Sequence, residues 1–269
     1  KTDKELKVLR YIGEKVVNET KGSKKDFDVP VAPMPPRPSG LVGTKQILDA
    51  KGPEGLVSWI HEQKKLLITD TTMRDAHQSL MATRVRTRDM TRIARATSVY
   101  GNDLFSLEMW GGATFDVAYR FLNESPWERL EDLRQRIPNV MFQMLLRGSN
   151  AVGYKNYPDN VISAFIKQSS ISGIDIFRIF DSLNWLDGMK LAIEEVRNNN
   201  KVAEACICYT GDILDETRDK YTLKYYVDMA KELERLGANI LGIKDMAALL
   251  KPYAADKLIR ALKQEISIP

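Results

Sequence analysis

Leu66-Leu67-Ile68-Thr69-Asp70-Thr71-Thr72-Met73-Arg74-Asp75-Ala76-His77-Gln78-Ser79 begins as a short apolar run and turns abruptly polar. Its first half predicts a strand buried on both faces, because consecutive aliphatic and β-branched residues suit a covered sheet. The second half then falls at the strand's C-terminal end, where ligands bind in parallel α/β folds. Two threonines, two carboxylates, an arginine, a histidine and a glutamine meet there. A tight turn rarely needs that mixture, so the stretch reads as functional.

Downstream of it the pattern is regular. Strand-like runs recur at 66–71, 103–109, 139–146, 174–180, 202–209 and 238–243. Between them lie helical periodicities such as Met90-Ile93-Ala94-Thr97-Tyr100 and Tyr225-Met229-Leu233-Leu236. Gly101 and Gly237 follow these two helices, where left-handed caps are expected. Alternating strands and helices imply βαβ units and a parallel sheet. Pro252 opens a further helix through Leu258, Leu262 and Glu265, and Ile266-Ser267-Ile268-Pro269 reads as the start of another strand.

A doubly wound sheet would need a glycine-rich phosphate turn, and no G-x-G-x-x-G occurs. A (β/α)8 TIM barrel instead gathers polar residues at several strand tips. Arg74, Asp75 and Gln78 follow the first strand, and Glu108 lies at the second. Arg147 follows the third and Asp181 the fourth. Tyr209 and Asp212 follow the fifth, and Lys244 and Asp245 the sixth. The expected fold is therefore α/β, a TIM barrel truncated after about six βα units.

Upstream, Leu6, Leu9, Ile12, Val16 and Val17 predict an amphipathic helix ending near Gly22. The prolines from Pro30 to Pro38 predict extended chain. Ile47-Leu48 and Leu56-Val57-Ile60 predict two short helices, the second beginning after Gly52-Pro53. Residues 1–65 read as a helical and Pro-rich connector, and residues 66–269 as the partial barrel. The charged opening Lys1-Thr2-Asp3-Lys4-Glu5, without Met, reads as the start of an excised piece.

Composition narrows the class. The 269 residues are 43% hydrophobic and 28% charged, an ordinary globular balance. Residues 1–65 hold 13 Lys and Arg against 9 Asp and Glu, while residues 66–269 balance at 27 against 27. A balanced body argues against nucleic-acid binding. No apolar run approaches the roughly 20 residues of a membrane span. Cys206 and Cys208 lie two apart on one strand, where a disulfide would strain the backbone, so reduced thiols in a cytosolic-type compartment are expected.

Several residue types at the strand tips carry chemistry. Asp75 can offer oxygen to a divalent cation or pair with an arginine; taken alone, the ion pair is the simpler reading. Arg74 and Arg147 are forks suited to a carboxylate substrate, or to structural pairing with Glu108 or Asp181. Gln78 can donate to a carbonyl oxygen without adding charge, or can stand as a solvated loop residue. Lys244 leaves the apolar run Asn239-Ile240-Leu241-Gly242-Ile243. Such a lysine can form a Schiff base, act as a base, or take up CO2 as a carbamate; its alternative is an ion pair with Asp245 or Asp181. His61 reads as a partly exposed helical residue without a chemical role. His77 can be a ligand or a hydrogen-bonding loop anchor, and the anchor is the simpler reading. Trp110, Trp127 and Trp185 read as packing residues.

These motifs resemble a known family. Asp70–Ser79 is similar to the first-strand signature of the lyase and carboxyltransferase barrels related to hydroxymethylglutaryl-CoA lyase. Glu108-Met109-Trp110-Gly111-Gly112-Ala113-Thr114-Phe115-Asp116 narrows the resemblance to biotin-dependent carboxyltransferases. Leu146–Asn150, Phe177–Asp181 and Ile243–Ala247 fit the same group. Met34-Pro35-Pro36-Arg37-Pro38-Ser39-Gly40 and Gly52-Pro53-Glu54-Gly55 look like the segment leading into the barrel in the pyruvate carboxylase family.

The resemblance implies transfer of CO2 from carboxybiotin to enolpyruvate, giving oxaloacetate. Arg74, Gln78 and Arg147 would hold pyruvate, with Arg74, Gln78 and Lys244 taking part in catalysis. Asp75 and Lys244, the latter as its carbamate, would bind a divalent metal, commonly zinc or manganese. That family completes the metal site with a His-x-His pair on the seventh strand, which neither His61 nor His77 is placed to replace. Biotin would sit on a separate carrier domain, and ATP and acetyl-CoA would bind other domains. Expected partners are pyruvate and the biotin carrier and biotin carboxylase domains of the same polypeptide. A homo-tetramer is expected at full length, in the cytoplasm or, in a eukaryote, the mitochondrial matrix, with no nucleic acid and no membrane. The piece by itself is expected to be inactive and only marginally foldable. Competing readings are an oxaloacetate decarboxylase α-subunit or transcarboxylase, an acyl-CoA lyase or synthase, and a non-catalytic scaffold.

Overall fold

A computed structural model describes residues 3–18 and 40–269. The proline-rich stretch and the expected helix end near Gly22 lie outside the described residues. In the first stretch, α1 (Asp3–Ile12) continues as a π-type coil over Gly13–Asn18, with Leu6, Leu9 and Ile12 exposed.

The second stretch opens with α2 (Thr44–Glu62), then β1 (Thr69–Asp70), α3 (His77–Met81) and α4 (Thr87–Tyr100). There follow β2 (Ser106–Trp110), α5 (Gly112–Val117), α6 (Pro126–Arg136), β3 (Met141–Leu146) and α7 (Asp159–Ser172). The remaining elements are β4 (Ile176–Ile179), α8 (Asp187–Asn198), β5 (Val202–Cys208), α9 (Leu223–Arg235), β6 (Ile240–Lys244) and α10 (Pro252–Glu265). The strands form one sheet in the order β1-β2-β3-β4-β5-β6, each parallel to its neighbour. This is the half-barrel of six βα units that the alternation predicts, but the first strand is not the doubly buried one its apolar run suggests. Strand β1 is Thr69–Asp70 alone, with Leu66 and Ile68 exposed, because it is an edge strand paired only with β2. Leu241 N–H donates to Pro269 C=O at 2.9 Å, so the strand-like residues after α10 lie along β6.

Local chemistry fixes the helix starts. Ser125 Oγ accepts from Glu128 N–H at 3.3 Å and Pro126 occupies the first turn of α6. Thr222 caps α9 in the same way, and Pro252 opens α10. Gly237 takes the left-handed cap with φ 96°. Gly101 does not: its φ is −97°. It is small for another reason, since a Cβ there would sit 2.8 Å from Thr97 O and 2.9 Å from Leu104 Cδ1.

Alternate strand residues face opposite sides. Leu107, Phe142, Phe177, Ala205 and Ile207 face outward and join Met90, Leu133, Ile193 and Leu233 of the helices in the main core. Inward-facing Met141, Ile176 and Val202, together with Phe105, form the floor with Leu48 and Leu56 of α2. Helix α2 is two helices broken at Gly52 (φ 68°, ψ −178°), as the Gly-Pro pair predicts. Thr44 Oγ1 donates to Phe105 C=O at 2.8 Å, which holds the first of them under the strands. Buried Asp175 strengthens the same end: it accepts from Phe142 N–H at 2.9 Å and Arg134 Nη2 at 2.6 Å, with Lys45 Nζ at 3.6 Å. With the N-terminal ends covered by α2, the C-terminal tips remain open to a ligand. No helix among the described residues is long and apolar enough to cross a membrane.

Two stability measurements test this account. Leu56 is fully buried in the floor, so Leu56→Ala should cost about 2–5 kcal/mol in chemical denaturation. Glu124 ties α4 to α6 by accepting from Thr87 N–H (3.0 Å), Thr87 Oγ1 (2.7 Å) and Arg129 Nη2 (2.9 Å). Partial burial opposes its charge, but these bonds outweigh it and hold its carboxyl at about 2 rather than 4.5. A depressed carboxylate stabilises the fold above its ordinary value and loses that contribution as pH falls toward its folded value. The stability gap between the protein and Glu124→Gln should therefore be full above pH 4.5 and close as pH approaches 2.

Candidate functional site at the strand tips

After β1 the chain winds through a π-type turn, Thr72–Ala76, directly into α3. His77 anchors this turn: it is buried, and its Nε2 lies 2.9 Å from Met73 C=O. Burial lowers its pKa, with Arg129 and Arg74 adding to the fall and the Met73 bond opposing it. The turn aims Arg74 inward, where it is 7% exposed. Its Nη2 donates to Glu108 Oε1 at 2.5 Å, and its Nη1 to Asp75 Oδ1 at 2.8 Å and Gln78 Oε1 at 3.4 Å. Arg74, Asp75, Gln78 and Glu108 thus form one cluster. Gln78 turns its carbonyl to Arg74, which leaves its NH2 free to donate elsewhere.

Strand β2 places Glu108 through an irregularity. Glu108 is aligned with Gln143, yet Trp110, two residues on, is aligned with Met144. One extra residue, Met109, is accommodated there, so Glu108 faces inward while Trp110 turns out among Phe115 and Trp127, with ring centroids at 4.8 and 5.0 Å. The following Gly111-Gly112 is where the two arginines meet. A Cβ on Gly111 would sit 3.1 Å from Arg74 Cδ, and one on Gly112 would sit 2.8 Å from Arg147 Nη1. Arg147, at the tip of β3, donates from Nη1 to Gly153 C=O at 3.0 Å, and its Cζ lies 5.2 Å from the Tyr154 ring centroid. Neither Glu108 nor Asp181 pairs with Arg147. Tyr154 is a rim residue that sequence reasoning missed, since a lone tyrosine in a loop carries no spacing signal.

Lys244 stands on the same rim at the tip of β6, opposite Cys208 in register. Its Nζ lies 4.8 Å over the Phe180 ring, an arrangement suited to an ammonium. Its expected structural partners are engaged elsewhere. Asp245 accepts from Leu249 and Leu250 N–H, both at 2.9 Å, and Asp181 accepts from Leu183 and Trp185 N–H, both at 2.9 Å. Cys206 and Cys208 are free and buried, and burial pushes both thiols up, which makes them unreactive. Of the remaining tip residues, Asp212 pairs with Lys251 Nζ at 2.7 Å, and Tyr209 stacks on Tyr226. His61 is exposed on α2, as expected.

Among the described residues no group of three or more His, Cys, Asp or Glu is placed to hold a metal ion. Asp75 has one oxygen on Arg74 and a side chain 48% exposed, so its other oxygen can serve a cation. Lys244 becomes an oxygen donor only as a carbamate. Asp75 and a carbamylated Lys244 would each offer oxygen to a cation and would not close a site by themselves.

Six βα units with arginines, a carboxylate, an amide and a lysine at the strand tips define an incomplete TIM barrel with a polar rim. No family model matches the chain. It is 62% identical to pyruvate carboxylase of Bacillus subtilis over 99% of its own length and 24% of that protein's. It is 50% identical to the human mitochondrial pyruvate carboxylase over 96% of this chain and 22% of that one. The carboxyl transferase domain of Rhizobium etli pyruvate carboxylase, solved with pyruvate, superposes with a TM-score of 0.85 at 50% identity, covering 100% of this chain and 46% of that one. The same domain solved with pyruvate and biocytin gives 0.84 at 49% identity, over 99% and 46%. The chain belongs to the pyruvate carboxylase family and spans about a quarter of the length of the curated relatives it matches.

Gly112→Ala tests the glycine contact. The added methyl would meet Arg147 Nη1, Arg147 Cζ and Val152 O at 2.8–2.9 Å. A crystal structure of the variant should show the Arg147 guanidinium displaced while the Arg74–Glu108 contact is unchanged.

Proposed function

We propose that this chain supplies part of the keto-acid site of a biotin-dependent pyruvate carboxylase, where CO2 passes from carboxybiotin to the enolate of pyruvate to give oxaloacetate. The observation that carries the reading is the convergence of Arg74 and Arg147 on Gly111-Gly112. Among the described residues Arg147 meets a carbonyl and a ring and no carboxylate, so its charge remains available to a carboxylate. Arg74 is already balanced by Glu108 and Asp75, and acts as an oriented donor. Together with the Gln78 NH2 it would hold the keto oxygen and stabilise charge developing there as the methyl proton leaves. The family relationship supports pyruvate as the substrate, and two cationic forks beside a neutral amide suit a small α-keto acid.

Asp75 and carbamylated Lys244 would contribute to binding a divalent metal, zinc or manganese, whose chemistry would be Lewis-acid polarisation of the keto oxygen. Biotin on a carrier domain would bring the CO2, with biotin carboxylase, ATP and acetyl-CoA sites elsewhere in a tetrameric polypeptide.

The test uses the full-length protein. Asp75→Ala should lose bound metal by elemental analysis and lose oxaloacetate formation, whereas a scaffold would show neither change. Arg147→Lys keeps the charge and loses the fork, and should lower kcat/KM for pyruvate about tenfold or more. An unchanged value would remove Arg147 from the site.

A further inference from the structure

Glu108 is fully buried in the polar interior of the half-barrel. One of its oxygens holds Arg74 Nη2, and the other, Oε2, has no hydrogen-bond partner. The neighbouring interior acids are used differently. Glu204 engages both oxygens, accepting from Gln143 Nε2 at 2.6 Å and Arg178 Nε at 2.9 Å. A buried carboxylate with one oxygen unanswered is a poor device for stability, because desolvation costs more than a single contact returns. Its effect falls instead on the group it touches. Arg74 has three carboxylate or amide contacts, and Glu108 is the one that draws it inward, since Asp75 and Gln78 lie on its own turn.

We infer that Glu108 is a positioning residue, fixing the depth and orientation of the Arg74 guanidinium beside the Gln78 amide, the two groups that face the keto acid. The geometry gives Glu108 two effects. It sets the depth of the guanidinium from a different strand, and it takes part of the positive charge that would otherwise fall wholly on Asp75. Loss of that partner lets Arg74 lean onto Asp75 and away from the substrate. This rests on the proposal that Arg74 holds the keto acid.

The test is a double-mutant cycle in the full-length protein, read by saturation with pyruvate and by thermal midpoint. Glu108→Gln should raise KM for pyruvate about tenfold with a smaller change in kcat, the fold-change expected when one charge-assisted contact becomes neutral. Arg74→Lys should lower kcat/KM further. If Glu108 acts through Arg74, the double variant should be no worse than Arg74→Lys alone to within about twofold. Losses that multiply, or a Glu108→Gln enzyme that saturates normally, would overturn the inference while leaving the site reading intact. A silent Arg74→Lys would sink both. Should Glu108→Gln fail to fold, Glu108→Asp keeps the charge but retracts it by one methylene. A rise in KM in that variant supports positioning, and an unchanged KM refutes it.

Discussion

The buried contact between Arg74 and Glu108 constrains the rest of the rim. A guanidinium this far from water must have its charge answered by an anion, and the anion must come from a neighbouring strand if the group is to be held inward. Strands β1 and β2 satisfy this because Asp70 is in register with Leu107, which places Glu108 one step beyond the pairing and beside the first loop. The register shift after Glu108 then lets Trp110 turn into the outer core without dragging the carboxylate with it. Gly111 and Gly112 complete the arrangement by leaving room where side chains would strike the two arginines. Strand order, register shift and missing side chains act on one contact.

The two ends of the half-barrel are chemically opposite for a reason rooted in the alternation of the strands. Inward positions near the strand starts are apolar and meet Leu48 and Leu56, so the floor excludes water. The next inward positions, Gln143, Arg178 and Glu204, are polar: Glu204 accepts from the other two, and Gln143 Oε1 has no partner. Above them Leu145, Phe180, Cys206 and Cys208 form an apolar patch under Lys244. Polar interior groups of this kind are costly to bury, and they are tolerated because the floor and outer helices already supply the apolar burial that keeps the fold compact.

Much of this is legible in the sequence. Five strands are legible because apolar runs recur between helical periodicities, and the break at Gly52-Pro53 follows from backbone chemistry alone. The first run misleads, since β1 keeps only Thr69–Asp70 at the sheet edge with Leu66 and Ile68 exposed. Arg74, Asp75 and Gln78 could be grouped because they are close in sequence, and His77 could be read as an anchor. The partner of Arg74 was named only as one of two possibilities, since choosing Glu108 over Asp181 requires strand register. The role of Gly111 and Gly112 was invisible, because which side chain approaches a glycine depends on loops from two other strands. Tyr154 is illegible because a lone loop tyrosine carries no spacing signal, and only the folded loop brings it to Arg147. Gly101 shows the converse, a glycine at a helix end whose position suggested a left-handed cap and whose actual constraint is crowding by Thr97 and Leu104.

On the proposed reading the two arginines are not interchangeable, and the difference lies in their neighbours. Arg74 sits between two carboxylates, so its single charge is more than answered and its value is directional: rigid donors at a fixed point. Arg147 has a backbone carbonyl and an aromatic face, so it remains a net positive charge at the rim. An approaching keto acid carries its full negative charge on the carboxylate and only a dipole on the keto group. Electrostatics alone would therefore seat the carboxylate at Arg147 and leave the keto oxygen to Arg74 and Gln78. That orientation puts the oxygen where charge develops during enolisation beside the more rigid of the two forks, which is the arrangement that favours the transition state over the ground state.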